Sequence, residues 1–138
     1  DFGCCQPIEG DRAEDGRALH RAALRKDETG FRRAAAKILE TEGGSFEAKA
    51  AEYSRQCFVP LFDSPHAITR SYVKSLVDGV VAMKDEVGAR DGSFRQLPPG
   101  MLFINRLQFG FYSVLARLEV EADYAAVERG FLGEAGLL

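Results

Sequence analysis

Asp1-Phe2-Gly3 stands at the head of this 138-residue chain. Asp-Phe-Gly is a motif whose aspartate holds magnesium against nucleotide phosphates during phosphoryl transfer. The residue type suits that task. Mg²⁺ is a hard cation that prefers oxygen ligands. A metal that bridges phosphate oxygens neutralises the charge that develops as the phosphoryl group moves. One carboxylate beside a free α-amino group is a poor site by itself, because Mg²⁺ demands near-octahedral geometry and further anionic ligands. Asp1 is the candidate metal ligand, and its companions have to come from elsewhere.

Other residues imitate chemistry without supporting it. Val81-Ala82-Met83-Lys84 matches a strand motif whose lysine contacts phosphates, yet it sits in a helical pattern and follows Asp1-Phe2-Gly3, so Lys84 reads as a solvated flank. Cys4-Cys5 lacks the two-residue spacer of common zinc motifs, and no partner set with His follows it. His20 and His66 lie far apart and read as surface or packing positions. Glu14-Asp15 and Asp85-Glu86 are neighbours on helices, do not face each other, and read as solvated faces. No residue qualifies as catalytic. Phe103, Phe109, Phe111 and Tyr112 are candidates for a lipid pocket, but a helical bundle needs such a face inside, and core packing is the expectation. Arg106 and Arg117 are eleven residues apart, about three turns, and share a face. They either pair with carboxylates such as Glu119 or mark the exposed side.

The elements that would position these groups are helical. Residues 1–10 read as a loop punctuated by Gly3, Pro7 and Gly10. A first helix runs from Asp11 to about Lys26, with a small-residue face of Ala13, Leu19, Ala22, Ala23 and Leu24. A second covers Phe31 to Glu40 and stops at Gly43-Gly44. Ser45 is the expected N-cap of a third, which runs to Phe58-Val59, where Pro60 ends or kinks it. Ser64-Pro65 starts a fourth, with Pro at the first helical position. Ile68, Tyr72, Leu76, Val80 and Met83 form its stripe, widened by Val73, Val77 and Val81. Residues 88–93 read as a loop. Pro98-Pro99 begins the next helix, whose Leu102, Phe103, Leu107, Phe111, Val114, Leu115 and Leu118 cover more than one face, so it is expected near the centre of the core. A last helix covers Tyr124 to Leu132. No segment alternates cleanly enough for a strand.

Composition bounds the rest. Hydrophobic residues make up 46% and charged residues 28%, as in a globular domain with one core. The net charge of −3 gives no basic groove for nucleic acid and no polybasic patch for a membrane surface. Three cysteines do not build a disulfide framework and point to a reducing, cytoplasmic compartment. The first ten residues carry no signal-peptide run. Met101 to Leu118, the most apolar stretch, is broken by Asn105, Arg106, Gln108 and Arg117, unlike a membrane span. A chain that opens on Asp1 rather than Met reads as cut from a longer one.

Two stretches together carry a resemblance. One is Asp1-Phe2-Gly3-Cys4, a short loop and an Ala/Arg-rich helix pair. The other runs from Leu97-Pro98-Pro99-Gly100-Met101-Leu102-Phe103-Ile104-Asn105-Arg106 through Gln108-Phe109-Gly110-Phe111-Tyr112-Ser113-Val114-Leu115-Ala116-Arg117-Leu118. The combination resembles the C-terminal part of the AarF/UbiB family of atypical, protein-kinase-like ATPases and spans nearly the whole chain. The resemblance implies a kinase-like fold that binds ATP with a divalent metal, and a role in ubiquinone or other isoprenoid-lipid metabolism. It places the metal-binding aspartate on Asp1, with Phe2 packed under the site and Gly3 turning the backbone into the segment that follows. The family's nucleotide loop, nucleotide-binding lysine and catalytic loop all precede Asp-Phe-Gly and have no counterpart in these residues.

The expectation is therefore an all-α bundle of about six helices, a single domain over 1–138. Residues 1–10 would form the metal-motif loop and 11–138 a segment of a kinase-like C-terminal lobe. Mg²⁺ and ATP would belong to the parent protein, and the upstream part of that protein would be the main partner. Peripheral membrane or lipid contact and self-association through exposed apolar helix faces are further expectations. The rival reading is a non-catalytic helical interaction or regulatory module.

Overall fold

The computed structural model describes residues 11–88 and 101–137, with side chains at 11–82 and 106–137. Asp1, Cys4, Cys5 and the Pro98-Pro99 helix start lie outside these residues, as do the side chains of Lys84, Asp85, Glu86 and Phe103. Among the described residues seven helices carry the fold: α1 (Asp11–Leu24), α2 (Glu28–Leu39), α3 (Gly44–Cys57), α4 (Val59–Phe62), α5 (Arg70–Gly88), α6 (Met101–Leu118) and α7 (Tyr124–Glu134). The all-α expectation holds, with α4 a single extra turn.

Small residues let α1 and α2 pack closely. Leu19, Ala22 and Ala23 of α1 meet Phe31, Ala34 and Ala35 of α2, and α4 closes the cluster with Leu61 and Phe62. Phe31 stacks edge-on against Phe58 and Phe62, with ring centroids 5.2 and 5.1 Å away. The Arg55 guanidinium lies 3.8 Å over the Phe62 ring, a cation–π contact. Phe31 and Phe62 are essentially fully buried, and each contributes about 1.5–3 kcal/mol from area burial.

The turn between these helices is built by specific residues. Lys26 takes the left-handed backbone, and the Lys26 and Asp27 N–H groups return to the Ala23 and Ala22 carbonyls, closing α1 two residues earlier than expected. Asp27 then caps α2 by accepting from Gly30 N–H at 2.8 Å. A Cβ at Gly30 would lie 2.2 Å from the cap oxygen, so the glycine makes room for the cap.

The stop of α2 also differs from the sequence reading. Glu40 takes the left-handed conformation at the C-cap, and Gly43-Gly44, both at positive φ, turn the chain into α3 instead. Gly43, not Ser45, is the N-cap of α3; the Glu47 carboxylate reaches back to its N–H at 2.8 Å. Pro60 does break α3, and α4 follows one residue later.

Two further corrections concern α5 and α6. Ser64-Pro65 is a cis peptide and does not start a helix. The chain first forms a two-residue strand, β1 (His66–Ala67), antiparallel to β2 (Glu121–Ala122), with His66 opposite Ala122 and Ala67 opposite Glu121. Strands this short show no alternation to read. α5 then begins at Arg70, with Thr69 Oγ1 accepting from Tyr72 N–H at 3.2 Å. The larger surprise is α6. Leu107, Phe111, Val114 and Leu118 are between 58% and 67% exposed, so this helix does not run through the centre of the core. Ala116, almost fully buried, is its deepest described side chain. The apolar surplus of α6 faces outward, as do Val77 and Val81 on α5 and Val127 and Phe131 on α7.

Candidate functional site

The start of α5 and the middle of α6 come together over the C-terminus of α3, and the reason lies in Pro60. Within a continuous helix Pro60 would donate its N–H to the Gln56 carbonyl, but proline has none. Tyr72 Oη donates to Gln56 O instead, at 2.7 Å. The next carbonyl, Cys57 O, loses its helical donor as well, since Leu61 N–H goes to Phe58 O. Cys57 O accepts from Tyr112 Oη at 3.0 Å and from Gln108 Nε2 at 3.3 Å. Side chains of α5 and α6 thus bond the last carbonyls of a helix end; Gln56 O also accepts a backbone N–H at the cap, while Cys57 O relies on side chains. Gly79 brings α5 against α3: a Cβ there would meet the Tyr53 ring at 3.2 Å.

This tyrosine–cysteine cluster is chemically quiet. Burial pushes the Tyr72 hydroxyl well above its ordinary pKa and Tyr112 up to about 12, against a lowering hydrogen bond from Gln108 in the second case. Burial likewise raises the Cys57 thiol to about 11. The Tyr53 hydroxyl lies beside that thiol without a well-formed hydrogen bond, and burial raises its pKa well above the ordinary value, as it does for Tyr72. Near neutral pH all four stay protonated. None can serve as base or nucleophile, since each would have to ionise away from water.

The histidines pack, as expected. His20 stacks edge-on against Phe58 and pairs through Nδ1 with Glu128, tying α1 to α7. His66 stacks against Tyr72, and its Nε2 is buried without a partner among the described residues. Glu14 is solvated and pairs with Arg17 and Arg21. Asp15 departs from the solvated reading: it is 9% exposed and accepts from Lys37 Nζ at 2.6 Å, joining α1 to α2. Phe111 also departs from its reading, standing in solvent while Phe109 and Tyr112 turn partly inward.

Between α5 and α6 lies an open cleft of about 480 Å³, lined by Arg70, Val73, Ser113, Ala116 and Arg117. Two of its five lining residues are arginines and none is acidic, and the helices that carry them are basic beyond the cleft as well. Described side chains 70–82 and 106–118 include Arg70, Lys74, Arg106 and Arg117, and Asp78 is their single carboxylate. Lys74 holds Asp78 at 2.5 Å. Arg106 and Arg117 are both exposed, the second of the two readings open for them. Sequence reasoning missed Arg70. The available signal was the absence of any Asp or Glu along α6 from 106 to 118, opposite the basic first turns of α5.

Among the described residues no three His, Cys, Asp or Glu side chains gather as a metal site would require. No helix among them is long and apolar enough to cross a membrane. Comparison with protein-family models, with curated proteins and with solved structures finds no match for the chain.

Proposed function

We propose that this chain is the helical scaffold of an AarF/UbiB-like ATPase, the part of its C-terminal lobe that follows the metal-binding Asp1. The outward apolar residues of α5, α6 and α7 would seat it against the remainder of that enzyme. Asp1 would hold Mg²⁺ there, and every nucleotide contact would come from the upstream portion. The observation that carries this reading is the stripe Leu107, Phe111, Val114 and Leu118 on α6, exposed at steps of four, three and four. Contiguous apolar area of this kind is rare on a free-standing soluble domain and marks a surface meant to be covered. The Asp-Phe-Gly head and the Leu97–Leu118 stretch supply the identity of the cover.

The test measures Mg·ATP affinity of this chain and of a chain extended upstream. The extended protein binds nucleotide and loses metal-dependent binding on substitution of Asp1 by Ala; the present chain binds neither. Tight nucleotide binding by the present chain would refute the proposal. The same stripe also suits a second reading, a non-catalytic helical interaction module, because its spacing is that of helix-pairing seams. An extended protein that binds no nucleotide, with its helices intact, selects that reading.

A further inference from the structure

We infer that the α5–α6 cleft is a binding site for a small organic oxyanion, a phosphate monoester or a carboxylate with a compact apolar body. The inference does not depend on the proposed ATPase relationship. Arg70 approaches from α5 and Arg117 from α6, so two guanidinium groups on separate helices flank one opening. Neither has an ion pair or a side-chain hydrogen bond among the described residues. Arg12, Arg17, Arg21 and Arg55 are paired with carboxylates; what distinguishes Arg70 and Arg117 is that two unpaired guanidinium groups line the same cleft. Among the described side chains of the two helices, α6 has no carboxylate over 106–118 and Lys74 holds Asp78; Glu119, just past the end of α6, is exposed and forms no ion pair with Arg117. This local surplus of positive charge sits in a chain whose net charge is −3.

The lining sets the chemistry of the ligand. Guanidinium groups present planar forks of donors that match carboxylate and phosphate oxygens. Ser113 Oγ donates to Phe109 O at 2.7 Å, so its proton is engaged and the two arginines carry the anion. Val73 and Ala116 line the rest and offer no hydrogen bond, which suits an apolar body rather than a bare ion. A cleft of about 480 Å³ lies in the range of small-molecule sites, roughly 300–1,000 Å³. Arg70, Arg117 and Ser113 are surface residues of formed helices, so neutral substitution there spares the fold.

The experiment titrates the full chain with phenyl phosphate, benzoate, inorganic phosphate and benzyl alcohol, read by amide chemical shifts of α5 and α6. An organic anion of this size should bind with a dissociation constant on the order of 1 mM. Arg70→Gln and Arg117→Gln each weaken it about tenfold, while Lys74→Gln, on the same helix but outside the cleft, changes it less than twofold. Phenyl phosphate against benzoate decides which oxyanion is preferred. Three results would overturn the inference: no shift with either organic anion up to about 20 mM; equal loss in Lys74→Gln and the arginine variants, which means diffuse surface charge; or inorganic phosphate binding as tightly as phenyl phosphate, which means no apolar recognition.

Discussion

Tyr72 Oη donates to Gln56 O at 2.7 Å, the carbonyl that Pro60 leaves without its helical N–H. One residue later in α3, Tyr112 and Gln108 do the same for Cys57 O. The break between α3 and α4 is therefore also the dock for α5 and α6. A proline that interrupts one helix creates acceptors, and aromatic hydroxyls from two later helices fill them.

Removing the Tyr72 hydroxyl takes from Gln56 O one of its donors at an exposed site, since a backbone N–H at the end of α3 also reaches that carbonyl. Tyr72→Phe should cost about 0.5–1.5 kcal/mol in urea unfolding, the usual net worth of one hydrogen bond. Tyr112→Phe should cost less, because Gln108 still donates to Cys57 O. Equal losses in the two variants would contradict this division of labour.

The burial of α5 and the outward face of α6 can be checked by one substitution each. Leu76→Ala, at a site with no exposed surface, should cost about 2–5 kcal/mol. Phe111→Ser, 61% exposed, should change stability by no more than about 0.5 kcal/mol while lowering the binding of a hydrophobic dye. A large loss on Phe111→Ser would return α6 to the core.

Cys57 is 6% exposed and its thiol is held up to about 11 by burial. Thiolate, not thiol, is the reactive form. Iodoacetamide at neutral pH should leave the Cys57 peptide unmodified in the native protein and label it rapidly in denaturant, as read by mass spectrometry. Native labelling at the denatured rate would show that α3 and α5 separate readily.

Stability should fall at both pH extremes for identifiable reasons. Hydrogen bonds from Ser64 and then from Ala126 N–H hold Asp123 below its ordinary 3.8, and Arg21 followed by Arg17 holds Glu14 below 4.5. A carboxyl lowered in the folded state stabilises above its unfolded pKa and loses that contribution as pH falls through the folded value. Asp15 raises Lys37 above 10.5; that contribution is complete below the unfolded value and lost as pH rises through the folded one. Melting temperature should plateau between these limits. Asp123→Asn keeps a capping acceptor for α7 and should blunt the acid fall. An unchanged acid limb in that variant would remove Asp123 as a cause.

Much of the fold was legible along the chain. The 3.6-residue spacing of apolar side chains marked the helices, Pro60 marked the break, and Tyr124 the start of the last helix. Boundaries slipped where a distant or neighbouring side chain decided them: Asp27 capping around Gly30, Glu47 reaching Gly43, Thr69 replacing Pro65 as the start of α5. The metal motif was legible only as residue types at Asp1, which lies outside the described residues.

Periodicity tells which residues share a face, and that much the sequence determined by itself: all-α, with α6 apolar around more than one side. It carries no information on which face finds a neighbour. That was decided in three dimensions, where Ala116, Tyr112 and Gln108 turn toward α3 and α5 while Leu107, Phe111, Val114 and Leu118 turn away. The physical reason is that the stranded carbonyl of Cys57 needs donors, and Tyr112 and Gln108 are the donors α6 supplies. Satisfying that carbonyl orients the helix; the remaining apolar stripe is left to a partner. The pairing of Arg70 with Arg117 across one cleft arose in the same way, from helix packing that joins residues 47 positions apart.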